Sequence, residues 1–322
     1  MELNTPEPRF HPDLTQARFM PRTSATRANR RLLRALTRFG RHRPPHGGEV
    51  VEIGDGVTVR IQRPIGVAVT DAGERRPAVL HLHGGGLIIG SAIQGDPLCR
   101  RIANELGAVA ASVDYRLPPE HPYPTPLDDC YRALQWLAAQ PDVDANRIAV
   151  IGESAGGGLA ASLALLARDR GEITLAGQVL VYPMLDDRTP TGDGPDPRGL
   201  RLWNVRSNRL GWGMYLGAGA AGPAATPLDA ATLELAVPAR RGGLAGLPPT
   251  WIGVGTLDLF HDEDVEYARR LSAAGVACEL HVVPGAYHGF DQSEPKAAVS
   301  RDFAQRQVDA LRRMLSVTPT VR

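Results

Sequence analysis

The sequence predicts an α/β fold, with a mostly parallel central sheet and helices packed on both of its faces. Short apolar runs rich in β-branched residues, such as residues 78–82 and 108–113, alternate with longer segments of helical period. Strands that alternate with helices in this way form parallel sheets covered by helices. With 322 residues, the chain can also bury a large core and carry an insertion.

The first predicted element is a β-hairpin, because residues 50–53 and 57–61 flank Gly54-Asp55-Gly56. Proline and glycine then mark helix ends: Asp96-Pro97 opens one helix, which ends near Gly107, and Thr125-Pro126 opens another. The predicted strands cover residues 50–53, 57–61, 78–82, 108–113, 148–151, 178–182, 250–255 and 278–283. Besides the two opened by proline, helices are predicted at residues 23–39, 159–168, 203–216, 263–274 and 295–315.

This alternation breaks in two places, which we predict to form a helical cap of residues 1–46 and 184–245. The main α/β domain then comprises residues 47–183 and 246–322. Residues 189–197 are dense in proline and glycine and indicate a linker at the start of an inserted lid. The basic helix at 23–39 is expected to pack its leucines and Phe39 over the mouth of the main domain, with its arginines in solvent; contact with a membrane or an anionic partner is the alternative.

Composition narrows the classes of partner. Lys and Arg number 36 and Asp and Glu 35, a balance that gives no indication of nucleic-acid binding. Three widely spaced cysteines fit small core residues in a reducing compartment and predict no metal site. The N-terminus shows no apolar targeting segment, and no run approaches membrane-spanning length. We therefore expect a cytoplasmic protein with no cofactor, no metal and no membrane partner.

The motif Gly152-Glu153-Ser154-Ala155-Gly156 predicts a nucleophile elbow. A strand that turns at once into a helix needs a tight bend, and glycines two residues on either side of the serine remove Cβ collisions there. The serine is then exposed at the tip, beside the amides of a helix N-terminus. Such a short pattern also occurs by chance in loops, but the strand before it and the helix after it favour the elbow.

A serine hydroxyl becomes a strong nucleophile only when a base removes its proton and a third group orients that base. Among nine histidines, His288 is the predicted base, because it lies in a loop after the last predicted strand. His281 lies within that strand, where a structural role is expected.

The predicted carboxylate is Asp258, which follows the C-terminal end of a strand, where α/β sheets place their active sites. Asp262, Glu263 and Asp264 are competitors. They open a helix, however, where acidic side chains are expected simply to complement the helix dipole.

His83-Gly84-Gly85-Gly86 follows another strand and predicts an oxyanion hole. Successive glycines let backbone amides approach a carbonyl oxygen, so Gly84 and Gly85 are expected to act with the amide of Ala155. A phosphate-binding loop is the alternative, but the spacings typical of such loops are absent. We expect His83 to anchor the loop and not to act as a base.

Together with Asp114-Tyr115-Arg116-Leu117-Pro118-Pro119-Glu120-His121-Pro122 and Tyr287-His288-Gly289-Phe290, these motifs resemble the hormone-sensitive-lipase family of α/β-hydrolases, in particular its bacterial carboxylesterases. The resemblance covers residues 47–183 and 246–322, and the two remaining segments correspond to that family's cap. It implies the α/β-hydrolase fold, a Ser154–Asp258–His288 triad and the oxyanion hole named above. The stretch from 114 to 122 would brace the loop floor without a catalytic role.

Two residues depart from the family pattern. Leu87 stands after the glycines, where the family usually has an aromatic residue, and is expected to widen the acyl pocket. Pro118 replaces the usual alanine. Leu87, Glu153 and Trp203 are the predicted substrate-pocket residues.

The expected function is hydrolysis of short-chain acyl esters by a serine carboxylesterase through an acyl-enzyme intermediate, with a small-molecule ester as the partner. One alternative is a small-ligand receptor on the same scaffold; such receptors have lost the triad histidine, whereas His288 is present. Another is the same triad acting on amides, lactones or carbamates, since specificity depends on the pocket. The resemblance also suggests a homodimer.

Overall fold

An eight-stranded sheet forms the centre of the computed structural model, which describes residues 8–65, 75–190, 195–217 and 228–316. The strands are β1 Gly48–Glu52, β2 Thr58–Gln62, β3 Arg76–Leu82, β4 Val109–Asp114, β5 Val143–Glu153, β6 Leu175–Val181, β7 Thr250–Leu257 and β8 Cys278–Tyr287. Their spatial order is β1-β2-β4-β3-β5-β6-β7-β8, and all pairs from β4 to β8 are parallel. The pairs β1-β2 and β2-β4 are antiparallel, so β2 alone runs opposite to the other strands.

Helices cover both faces of this sheet, and the strands divide their side chains between two cores. Ile148 and Val150 of β5 face one core, whereas Ala149 and Ile151 face the other, as the two-residue period of a strand requires. The helices are α1 Arg30–Arg38, α2 Asp96–Leu106, α3 Thr125–Ala138, α4 Ala155–Arg170, α5 Val205–Tyr215, α6 Ala230–Ala236, α7 His261–Ala273, α8 Phe290–Ser293 and α9 Ala298–Met314. Residues of α3, α4 and α7 join the first core, and those of α2 and α9 join the second. The predicted fold class is confirmed.

The element boundaries differ from the prediction mainly at the ends. Helix α2 begins at Asp96 itself with Gly95 as its cap, and α3 begins at Thr125 with Pro124 as its cap. Strand β8 continues to Tyr287, beyond the predicted end, because it still pairs with β7 there. The single predicted C-terminal helix is divided into α8 and α9.

The expected packing of the basic helix is wrong for most of its large apolar side chains. Leu32, Leu36 and Phe39 are 62%, 63% and 86% exposed, whereas Leu33 is partly buried against the first core. The side of α1 that faces the protein also presents Arg30 and Arg34, which pair with Glu120. The helix is therefore held against the main domain by arginine contacts and by Leu33, and Leu32 and Leu36 point away from it.

The described parts of the two predicted cap segments contact each other. The Leu202 amide donates to the Pro21 carbonyl at 2.7 Å, and the Ser24 amide donates to the Leu202 carbonyl at 3.0 Å. Ser207 Oγ also donates to the Ala25 carbonyl at 2.8 Å. The division into main domain and cap stays a prediction. Part of it, residues 1–7, 191–194 and 218–227, lies outside the described residues, as do residues 66–74 and 317–322 of the predicted main domain.

Within the described ranges, no helix combines the length and the apolar character needed to cross a membrane.

The junction between β5 and α4 is the tightest backbone approach in the region of the predicted elbow. A Cβ on Gly152 would lie 2.2 Å from the Gly156 carbonyl oxygen, and one on Gly156 would lie 2.0 Å from the Leu82 carbonyl oxygen. Both contacts are to backbone atoms, which side-chain rotation cannot relieve. Strand β3, which carries Leu82, therefore lies against the first turn of α4.

We expect Gly156→Ala to lower the free energy of unfolding by about 3 kcal/mol, because the added methyl group forces the backbones of β3 and α4 apart. The matched control is Gly213→Ala in α5, where an added Cβ meets no atom within 4 Å. That change should be neutral or stabilise by about 0.5–1 kcal/mol through helix propensity. Urea denaturation measures both, and equal stability of the two variants would contradict the packing described here.

Candidate active site

Ser154 is the one residue between the last residue of β5 and the first residue of α4. Its φ of 56° and ψ of −119° are strained for a residue with a side chain, a cost of about 1–3 kcal/mol that surrounding contacts must offset. Its amide donates to the Val181 carbonyl at 2.9 Å, and its carbonyl accepts from the amides of Gly158 and Met184. The side chain, 6% exposed, lines a cavity of about 220 Å³.

His288 and Asp258 complete a continuous chain of hydrogen-bond contacts with this serine. His288 Nε2 lies 2.9 Å from Ser154 Oγ, and His288 Nδ1 lies 2.8 Å from Asp258 Oδ2. Both residues come directly after the ends of neighbouring strands, Asp258 after β7 and His288 after β8. The parallel sheet therefore brings together three side chains that lie up to 134 positions apart in the sequence.

The imidazole of His288 is fixed in place by its surroundings. The ring of Tyr182 packs edge-on at 4.9 Å and that of Phe260 at 5.2 Å. Asp258 is fully buried, and its second oxygen accepts a hydrogen bond from the Phe260 amide at 3.0 Å. Because the carboxylate already faces Nδ1, the proton of a neutral imidazole is held there, and Nε2 is left to accept a proton from the serine.

The three acidic competitors of Asp258 lie elsewhere, and the expectation that they only complement the helix dipole holds for Asp262 alone. Asp262 is exposed and contacts His261 Nδ1 at 2.7 Å. Glu263 accepts hydrogen bonds from the Leu185 amide and from Thr189, at the start of the insertion, and withdrawal from water raises the pKa of its carboxyl well above the ordinary value. Asp264 is fully buried without a hydrogen-bond partner among the described residues, and burial likewise raises its pKa.

The glycine loop after β3 lines the same cavity and contains unpaired amides. The amides of Gly84, Gly85 and Ala155 have no acceptor among the residues that the structure describes. Gly84 and Gly85 line the cavity with Ser154 and His288, and Ala155 opens α4, where the helix dipole favours negative charge. Gly85 has a φ of +118°, and a Cβ there would lie 2.2 Å from the Ile89 carbonyl oxygen. The loop can therefore take this course only with glycine at that position.

His83 and the stretch that begins at Asp114 brace this loop. The His83 ring stacks on Tyr115 at 4.2 Å, and the Tyr115 hydroxyl donates to the His83 carbonyl at 2.7 Å. His83 Nδ1 lies 2.8 Å from the Gly84 carbonyl oxygen. Burial lowers the pKa of His83, which therefore stays neutral at pH 7 and serves as an anchor.

Two of the three predicted pocket residues line the cavity. Glu153 and Trp203 do, and the indole of Trp203 lies so close to Gly86 that a Cβ there would meet it at 1.9 Å. Leu87 does not: it has a φ of +67°, is 3% exposed and packs in the hydrophobic core. The expectation that Leu87 widens the acyl pocket is therefore wrong, because the turn that follows the glycines directs this side chain inward.

The partner of Glu153 could not be predicted from any residue pattern. Its carboxylate oxygens lie 2.8 and 2.9 Å from His81 Nε2, and His81 Nδ1 lies 2.8 Å from Ser112 Oγ. All three side chains are buried, and Glu153 connects this group to the cavity that it lines. One sequence feature indicates that His81 needs a partner: it lies between Leu80 and Leu82 in a predicted buried strand, where a polar ring must be hydrogen-bonded. The sequence does not show which residue that partner is.

A second acidic side chain missed from the sequence is Asp291, which accepts a hydrogen bond from the Tyr182 hydroxyl at 2.8 Å. Withdrawal from water, opposed by this hydrogen bond, raises the pKa of Asp291 to about 6. The hydrogen bond to Asp291 therefore helps to hold the Tyr182 ring, which packs edge-on against His288.

A parallel sheet with an elbow serine at the end of its central strand, followed by an acid and a histidine after later strands, defines the α/β-hydrolases as a class. The sequence model of the alpha/beta hydrolase fold family matches residues 79–292. This chain belongs to that family, and within it to the hormone-sensitive-lipase group.

Relatives of known activity agree with this assignment. The chain is 36% identical over 248 residues to the carboxylesterase NlhH of Mycobacterium tuberculosis, covering 74% of each chain. It is 35% identical over 257 residues to an ethyl acetate hydrolase of Pseudomonas putida, covering 74% of this chain and 72% of the relative. The solved structure of a bacterial heroin esterase superposes with a TM-score of 0.81 at 36% identity, covering 97% of this chain and 99% of that one. The expectation of a carboxylic ester hydrolase is confirmed.

We expect Asp258→Asn to lower kcat by about 10³–10⁴-fold, because an amide no longer holds the proton on His288 Nδ1. Asp262→Asn is the matched control on the adjacent exposed turn and should change kcat less than about twofold. Steady-state hydrolysis of a nitrophenyl ester, with circular dichroism as a check on folding, measures both. A damaging Asp262→Asn beside an active Asp258→Asn would show that the acid lies one helical turn further along the chain.

Proposed function

We propose that this protein is a serine carboxylesterase that hydrolyses short-chain acyl esters through Ser154, His288 and Asp258. The observation that carries the proposal is the chain of contacts at 2.9 and 2.8 Å from Ser154 Oγ through the His288 ring to a fully buried carboxylate. Its supporting observation is the set of unpaired amides at Gly84, Gly85 and Ala155 beside the serine.

In the acylation step, Ser154 Oγ attacks the ester carbonyl carbon while His288 Nε2 takes the hydroxyl proton. The negative charge that develops on the carbonyl oxygen is stabilised by the amides of Gly84, Gly85 and Ala155, which have no acceptor among the described residues. Asp258 stabilises the imidazolium that forms. His288 then donates its proton to the departing alcohol, which leaves the acyl group on Ser154.

In the deacylation step, a water molecule takes the place of the alcohol, and His288 Nε2 accepts its proton as it attacks the acyl carbon. The same amides stabilise the second oxyanion. Proton return from His288 to Ser154 Oγ releases the carboxylic acid and restores the starting state. The fixed ring position between Tyr182 and Phe260 lets one imidazole serve both steps without a change of orientation.

The preference for short acyl chains is proposed from the cavity. Its volume is about 220 Å³, and Trp203 of the insertion closes one side by contact with Gly86. Each methylene buried against apolar surface contributes about 0.8 kcal/mol, so chains that outgrow the cavity gain nothing further and must displace its wall. The name of the Pseudomonas putida relative, ethyl acetate hydrolase, is consistent with a short acyl group.

We expect kcat/KM for nitrophenyl esters to peak between acetyl and hexanoyl and to fall steeply for longer chains. Trp203→Ala should open the side of the cavity that the indole closes and lengthen the optimal acyl chain by about two methylenes. The ratio of kcat/KM for the octanoyl ester to kcat/KM for the butanoyl ester should then rise roughly tenfold. Trp136→Ala is the matched control, because Trp136 is half-buried on α3 and does not line the cavity. A palmitoyl optimum in the wild type, or faster turnover of amides, lactones or carbamates, would overturn the proposed substrate class. Absence of any hydrolysis would favour a receptor.

A further inference from the structure

The N-terminal segment between Leu14 and Gly48 is uniformly basic. It contains nine arginines and no acidic residue. Some of these arginines are used internally; Arg30 and Arg34 pair with Glu120 and hold α1 against the main domain. Others are exposed and form no ion pair within the described ranges; these are Arg18, Arg22, Arg27, Arg31 and Arg43.

The same segment carries most of the exposed large apolar side chains in the described residues. These are Phe19, Leu32, Leu36 and Phe39, and the fifth, Ile65, lies elsewhere. Leu32 and Leu36 are four positions apart on one side of α1, and the exposed Phe39 directly follows the last residue of the helix. Arg31 and Arg38 are seven positions apart and line the flank of this apolar stripe, and Arg38 also lies 3.8 Å from Asp114.

This helix is fixed beside the mouth of the candidate active site. Arg34 Nε donates to the Ile88 carbonyl at 2.6 Å, and the Gly90 amide donates to Thr37 Oγ1 at 3.3 Å. Ser91 Oγ donates to the Thr37 carbonyl. Residues 88–91 continue directly from the glycine loop, and Ser24, just before α1, lines the cavity. Whatever contacts the outer side of α1 therefore lies next to the cavity.

We propose that the outer side of α1, formed by Leu32, Leu36 and Phe39 with the flanking arginines, docks on the surface of an anionic phospholipid bilayer. An apolar stripe bordered by arginines inserts its side chains at the headgroup boundary while the guanidinium groups bind lipid phosphates and carboxylates. The expectation of no membrane partner went with leucines and Phe39 packed inward, whereas Leu32, Leu36 and Phe39 are exposed. A second copy of this chain fits less well, because it would bring two arginine-lined flanks together.

The test is co-sedimentation of the full-length protein with vesicles of phosphatidylcholine alone and of phosphatidylcholine with about one third phosphatidylserine. We expect at least about tenfold tighter partitioning onto the anionic vesicles, and release when the salt concentration is raised to about 0.5 M. The triple variant Leu32→Ser, Leu36→Ser, Phe39→Ser should lose at least about tenfold of this partitioning. Its thermal midpoint and its hydrolysis of a water-soluble ester should match the wild type, because the three side chains make no core contact.

Ile65→Ser is the matched control, since it removes an exposed apolar side chain outside the segment. The proposal would be overturned if this control lowered the partitioning as much as the triple variant does. It would also be overturned if the wild type bound anionic vesicles no more strongly than zwitterionic ones. Sedimentation velocity showing that the triple variant only dissociates a dimer would overturn it as well. Vesicle binding is measured without any ester present, so its result is independent of whether the proposed hydrolysis is correct.

Discussion

The constraint on which the site depends is the contact between the backbone of β3 and the first turn of α4. No atom separates the Leu82 carbonyl from Gly156, and a methyl group there would lie 2.0 Å from the oxygen. This contact fixes the start of α4, and with it the strained backbone of Ser154. It also fixes the end of β3, from which the glycine loop continues. The nucleophile and the amides proposed to stabilise the oxyanion are thus positioned by one backbone approach, and small residues are required on both sides of the serine.

Three carboxylates near this serine or its histidine each face a hydrogen-bonding partner. Asp258 faces His288, Glu153 faces His81, and Asp291 accepts from Tyr182. An unpaired carboxylate near Ser154 would oppose the negative charge that forms on a substrate carbonyl oxygen. The donors offset that effect, and the amides of Gly84, Gly85 and Ala155 are left without an acceptor among the described residues.

Much of this arrangement could be predicted because it depends on local sequence rules. The periods of apolar residues predict the strands and helices of the sheet. The positions of Asp258 and His288 after strands predict that both lie at the same edge of the sheet, and the successive glycines predict the loop beside the serine. Properties set by long-range packing could not be predicted. The inward turn of Leu87 depends on its φ of +67°. The enclosure of Glu263 depends on Leu185 and Thr189, which donate hydrogen bonds to it from a distant part of the sequence. The outward side of α1 depends on where Glu120 lies in the folded chain.

The central claim is that Ser154 is the nucleophile, and covalent labelling tests it most directly. A fluorophosphonate reacts with a serine only when a neighbouring base and oxyanion donors activate it. Intact-mass analysis should show one adduct per chain, peptide mapping should place it on Ser154, and Ser154→Ala should take up none. Ser162, buried in the same helix, provides an internal control that should remain unlabelled. An adduct on another residue, or equal labelling of Ser154→Ala, would contradict the account.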